Sequence, residues 1–64
     1  MEITIDIKAG DRIRLVQTSD PYTKLVHGDL GTVRRIDDMG TVHVNWDSGS
    51  SLGLIPGEDS WVIL

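Results

Sequence analysis

The stretch His27–Leu54, HGDLGTVRRIDDMGTVHVNWDSGSSLGL, decides the fold. It breaks into three strand-like runs separated by two turns. Gly31 to Ile36 holds residues that suit a pleated, half-buried surface, namely Thr32, Val33 and Ile36. Asp37-Asp38-Met39-Gly40 reads as a hairpin turn, because Asp and Gly tolerate the positive φ values that tight turns require. From Thr41 to Trp46 the pattern alternates: Val42, Val44 and Trp46 to one side, Thr41, His43 and Asn45 to the other. A sustained period of two predicts a strand with one buried face, which places Trp46 in the core. Asp47-Ser48-Gly49-Ser50 is the second turn, with Gly49 as its left-handed residue. Ser51 to Ile55 follows as a third strand, with Leu52 and Leu54 on its apolar face. Two hairpins in series make a meander, which needs closure or a second layer to be stable.

The flanks supply that layer. In Met1–Lys8, MEITIDIK, the apolar residues Ile3, Ile5 and Ile7 alternate with polar ones. The expectation is an N-terminal strand that either covers the barrel or forms an exposed edge for pairing with a second copy or a partner. Ala9-Gly10-Asp11 is a break. Arg12 to Gln17 is the next strand, with Ile13 and Leu15 inward and Arg12 and Arg14 outward. Thr18 to Gly28 is the longest connection, and long connections in compact domains often carry function. Its ligand-capable side chains are Tyr22, Lys24 and His27. Pro56 and Gly57 punctuate Ile55–Ser60, which has room for one 3₁₀ turn. Trp61 to Leu64 closes the series, with Trp61 and Ile63 inward. No helical period appears. The predicted fold is all-β, a small barrel of five strands plus an N-terminal one, as a single domain over residues 1–64.

Composition narrows the function classes. A chain of 64 residues buries only about 60% of its unfolded surface, so its core is small. It contains no cysteine, which excludes disulfides and thiolate metal sites and fits a reducing, cytoplasmic setting. No apolar run approaches the ~20 residues of a membrane span, and the N-terminus lacks the basic-then-apolar pattern of a signal peptide. The net charge of -4 disfavours generic binding to nucleic-acid backbone and suits an acidic surface that docks on a basic partner.

Three segments taken together resemble a known group. Gly10-Asp11-Arg12-Ile13-Arg14-Leu15, Gly28-Asp29-Leu30-Gly31-Thr32-Val33 and Val42-His43-Val44-Asn45-Trp46-Asp47 form a pattern similar to the SH3-like small barrels, which include KOW-type domains. More closely, Gly10 to Leu64 resembles a family of short prokaryotic and phage proteins of unknown function that similarly carry GDRIRL, a D-P-Y loop and V-x-W-D-x-G-S-S-L. The resemblance implies an SH3-like barrel with a 3₁₀ turn before its last strand, and it implies no activity. KOW-type relatives tend to bind RNA or protein. Met1 to Ala9 lies outside the resembling stretch.

Catalytic chemistry finds little support. His27 and His43 have no H-E-x-x-H spacing and no cysteine to join, and Gly28-x-x-Gly31 lacks the lysine and helix of a phosphate loop. Asp37-Asp38 reads as turn geometry, and His43 as a solvated outward residue. So small a chain is expected to have little volume for a ligand pocket. No catalytic, metal or cofactor site is expected. The candidate binding residues are Arg12, Arg14, Arg34 and Arg35 on neighbouring strands, with Tyr22 and Lys24 in the long loop. Arg12, Arg14 and Arg34 form one outward stripe in this reading, either paired to Asp11, Asp29, Asp37 or Asp38 or open to phosphate or an acidic partner. Asp37, Asp38, Asp47, Glu58 and Asp59 form a second, acidic surface. The expected function is a non-enzymatic protein-binding module. Nucleic-acid binding through the arginines, and homo-oligomerisation through Ile3, Ile5 and Ile7, are the alternatives.

Overall fold

A computed structural model describes residues 7–64. Five strands form one antiparallel sheet: β1 (Arg12–Gln17), β2 (Leu30–Ile36), β3 (Val42–Trp46), β4 (Gly53–Leu54) and β5 (Ser60–Ile63). Their spatial order is β4-β3-β2-β1-β5, so β1 to β4 form a meander and β5 returns to the free side of β1. The sheet is open, with β4 and β5 at its edges. No helix occurs among the described residues.

The alternation in β3 sets the core. Val42, Val44 and Trp46 are all buried, and Ile13, Leu15, Val33 and Leu54 meet them from the other strands. Each such side chain contributes about 1.5–3 kcal/mol through burial. Arg12 and Arg14 alternate outward from Ile13 and Leu15 as expected. Trp46 is a core residue, and its indole N–H donates to the Leu52 carbonyl at 2.9 Å. Trp61 and Ile7 are partly buried against the same cluster.

The first hairpin turn is tied by Asp37, whose Oδ1 accepts from the backbone N–H groups of Met39 (2.9 Å) and Thr41 (3.0 Å). In the second, Gly49 adopts φ 98° and donates to the Trp46 carbonyl at 2.9 Å.

Four expectations are corrected. The third strand of the meander is only two residues long, Gly53–Leu54, and beside it the Leu52 carbonyl accepts from the Trp46 indole. The segment before β5 is a turn and not a 3₁₀ helix: Ile55's carbonyl accepts from both Glu58 (3.0 Å) and Asp59 (2.9 Å). Gly57 at φ 93° cannot continue a right-handed turn. Ile63 lies level with buried Ile13 yet is exposed, because β5 is an edge strand. Ile7 and Lys8 lie outside any strand, and Ile7 packs against the core, so it is not part of a free edge. Ile3 and Ile5 lie outside the described residues.

Candidate functional site

The long connection between β1 and β2 is held at several points. Leu15 and Gly28 extend the β1–β2 ladder into it: the Gly28 N–H donates to the Leu15 carbonyl, and the Leu15 N–H to the Asp29 carbonyl, both at 2.8 Å. Leu25, in the middle of the loop, is buried in the core. At the other end the Ser19 N–H donates to Asp59 Oδ1 at 2.7 Å. Short-range turns fill the remainder, with Asp20 Oδ1 accepting from the Tyr22 N–H and Asp29 Oδ2 from the Val26 N–H.

This anchoring leaves an open groove of about 600 Å³ between the loop and the β3–β4 turn. The loop contributes Asp20, Tyr22, Thr23, Lys24 and Leu25; the turn contributes Ser48, Ser50, Ser51 and Leu52. Leu25 and Leu52 are its apolar part, and hydroxyls and the Lys24 ammonium are its polar part. Tyr22 is 91% exposed at its margin. The expectation that the chain has little room for a pocket is therefore corrected: the space comes from between two loops and not from the interior. Tyr22 and Lys24 come together here, whereas none of the four arginines lines the groove.

The arginines occupy the outer face of the sheet. Arg12 pairs in register with Thr32, and Arg14 lies between Leu30 on β2 and Val62 on β5. Arg12 is engaged on one side: its guanidinium grips Asp47 through two hydrogen bonds of 2.9 and 2.8 Å and donates a third to Thr32 Oγ1. The Arg12 hydrogen bonds hold Asp47's carboxyl below its ordinary value, and Asp47 raises Arg12 in turn. The partner is thus Asp47, and not Asp11, Asp29, Asp37 or Asp38 as the sequence suggested. Among the described residues Arg14, Arg34 and Arg35 make no ion pair.

A β-bulge explains the placement of Arg34 and Arg35. Val33 faces Val44, and Ile36 faces Val42. Between those pairs β3 has one residue, His43, and β2 has two, Arg34 and Arg35. Strict alternation from buried Val33 would turn Arg35 toward the core. The extra residue lets both arginines stay exposed on the outer side, with Arg35 in register with His43.

The acidic surface expected from sequence is largely absorbed into structure. Asp59 is 8% exposed. Its Oδ1 accepts from the Ser19 N–H and hydroxyl, and its Oδ2 from the Ile55 N–H at 2.8 Å. Burial pushes its carboxyl up, but hydrogen bonds from Ile55, Ser19 and the Thr18 hydroxyl outweigh burial and hold it below the ordinary value. Asp37 is held low first by His43 Nε2, 2.9 Å from its Oδ2; desolvation opposes this, and the Thr41 and Met39 N–H groups add to the lowering. His43 is accordingly a half-buried partner of the turn and not a solvated residue. Sequence reasoning missed Leu25 and Asp59. The signal available for Leu25 was a single leucine in a polar loop; for Asp59 there was none beyond its place after Pro56-Gly57.

No group of three or more metal-ligating side chains is found among the described residues. No helix of the described residues is long and apolar enough to cross a membrane.

These features define an all-β domain with a loop-lined groove on one part of its surface and a cationic sheet face on another. The chain belongs to a family described as a domain of unknown function, DUF4314, which it matches over residues 2–64. The match takes in nearly all of Met1–Ala9, the segment outside the resemblance drawn from sequence. Neither a curated protein nor a solved structure gives a significant match.

Proposed function

We propose that the chain is a non-enzymatic binding module of SH3-like, KOW-related architecture, acting by protein–protein contact through the groove at Tyr22 and Lys24. A meander whose fifth strand returns to pair with the first is a connectivity that lets a small sheet curl toward such a barrel. The observation that carries the functional reading is the groove itself. It is lined by a loop pinned at Leu25, Gly28 and Ser19, so its walls are preorganised and ordering them costs little on binding. Tyr22 offers a rigid amphipathic ring and Lys24 a single charge. Leu25 and Leu52 offer apolar contact, and the serines offer hydroxyls that suit a peptide backbone. Catalysis is disfavoured because Asp20 is the single carboxylate among the groove's lining residues and no histidine lines the groove beside it, so no acid–base pair is assembled there. Nucleic acid is the weaker reading because Arg12, at the centre of the expected stripe, is neutralised by Asp47.

Selection of a displayed random-peptide library against the intact protein tests this reading. The expected result is a family of related peptides whose affinity falls about tenfold or more in Tyr22→Ala, the loss typical of an aromatic anchor. Enriched peptides that bind Tyr22→Ala and Lys24→Ala unchanged, or no enrichment at all, would contradict it.

A further inference from the structure

The bulged face of the sheet supports a second interaction surface that is independent of the groove. Four of the six lysines and arginines of a chain with net charge -4 lie on the outer side of β1 and β2. One of them, Arg12, is neutralised by Asp47, which leaves Arg14, Arg34 and Arg35. The bulge makes this set, since without its extra residue Arg35 would face the core. Such insertions re-aim side chains and are over-represented next to functional sites. Beside the arginines the same face exposes apolar side chains: Leu30 and Val62 flank Arg14 in register, and Leu64 follows, its N–H donating to the Arg12 carbonyl at 2.9 Å.

We infer that this face docks an extended acidic protein segment whose sheet-facing side chains, every second residue, alternate between carboxylates and apolar groups. Charge complementarity selects the acidic partner, because three guanidiniums point outward with no acid paired to them among the described residues. The apolar neighbours select protein over nucleic acid, because Leu30, Val62 and Leu64 would lie idle against a phosphate backbone and bury area against aliphatic side chains. Geometry sets the spacing. Arg14 lies opposite Leu30, and Arg34 lies four residues further along β2, about 13 Å at a rise of ~3.3 Å per residue. An extended peptide with same-side carboxylates four residues apart matches that separation, and guanidinium forks bind each carboxylate through paired hydrogen bonds.

The test titrates three probes into the isotope-labelled full chain at low ionic strength: a peptide of repeating Glu-Ser-Val-Ser, which alternates Glu and Val along one side of an extended chain, a polyglutamate of equal charge, and a single-stranded oligothymidylate of equal charge. The expected result is amide shift changes at Arg14, Leu30, Arg34, Arg35 and Val62. The alternating peptide should bind several-fold more tightly than either other probe. Affinity should drop about tenfold in Arg14→Glu and in the double variant Arg34→Glu, Arg35→Glu, whereas Lys8→Glu, an exposed cation in the N-terminal segment, should change it less than about twofold. Oligothymidylate binding at least as tightly as the peptide would overturn the inference in favour of nucleic acid. Equal losses in Lys8→Glu and Arg14→Glu would overturn it in favour of diffuse charge attraction. Unchanged wild-type shifts would overturn it outright, and that outcome needs no variant to fold.

Discussion

The loops of this domain and the outer face of its sheet use charge in opposite ways. In the loops, carboxylates are engaged by backbone N–H groups: Asp11 by Lys8, Asp20 by Tyr22, Asp29 by Val26, Asp37 by Met39 and Thr41, Asp59 by Ser19 and Ile55. On β1 and β2 the backbone is paired in the sheet ladders, and of the four arginines there only Arg12 has an acidic partner among the described residues. A net charge of -4 therefore says little about what the surface offers a ligand. Much of the acid closes turns in a chain too short to hold its loops by core alone, and the cations of the sheet remain outward. The lesson is that formal charge becomes a statement about binding only after the hydrogen bonds of each charged group are known.

The largest expected effect comes from breaking the loop side of this contrast. Asp59→Ala removes the acceptor for two backbone donors and leaves them in a partly buried site, so it should cost about 2–4 kcal/mol. Urea unfolding measures this. Because Asp59 joins the Ser19 end of the long loop to the turn before β5, the same variant should raise hydrogen exchange from Ser19 to Leu25.

The sheet side breaks at Gly31. A Cβ there would meet Val44 Cγ1 at 2.6 Å and Trp46 Cε3 at 2.8 Å, with the Asn45 carbonyl oxygen at 3.1 Å. Gly31→Ala should cost about 1–3 kcal/mol by overpacking. The loss should appear as global destabilisation, with no selective loosening of the loop.

Acid acts on the loops more than on the sheet. Asp37, Asp47 and Asp59 all sit below their ordinary value of 3.8 in the folded chain. For such groups the folded state binds protons less readily than the unfolded one. Their stabilisation is present above about pH 4 and is lost as pH falls through the depressed folded values. Thermal melts should show little change from neutral pH to pH 5 and a progressive fall below pH 4. Asp59→Asn should flatten that fall more than Asp47→Asn, because the Asp47 pair is exposed and screened.

The smallest effect sharpens the sheet side. Asp47→Asn frees Arg12 and adds a fourth outward cation. It should tighten the Glu-Ser-Val-Ser peptide by about twofold at low salt, with the gain vanishing as salt screens the face. Calorimetric titration checks both parts.

The sequence made much of the sheet legible because period-two burial is a local signal. Val42, Val44 and Trp46 announced β3, and Arg12 to Gln17 announced β1 with its correct faces. What stayed hidden depends on partners far apart in the chain or on a single inserted residue. Arg12 and Asp47 are 35 positions apart, and Ser19 and Asp59 are 40 apart. The Arg34–Arg35 bulge is invisible to any reading that assumes strict alternation. Leu25 looks like loop until the fold brings Val44 and Leu54 into the same cluster. The groove at Tyr22 and Lys24 was hidden for the same reason, since it forms only where the long loop meets the β3–β4 turn.

The central claim is that the acids are part of the framework, and backbone amide shifts followed from pH 7 to pH 2 test it most directly. An amide that donates to a carboxylate reports the protonation of that carboxylate. The account predicts that Ser19 and Ile55 shift together with one midpoint below 3.8, set by Asp59, and that Met39 and Thr41 do the same for Asp37. Amides that stay flat across the range, or that titrate at or above 3.8, would mean these carboxylates are solvated surface charge, and the contrast between loops and sheet would fail.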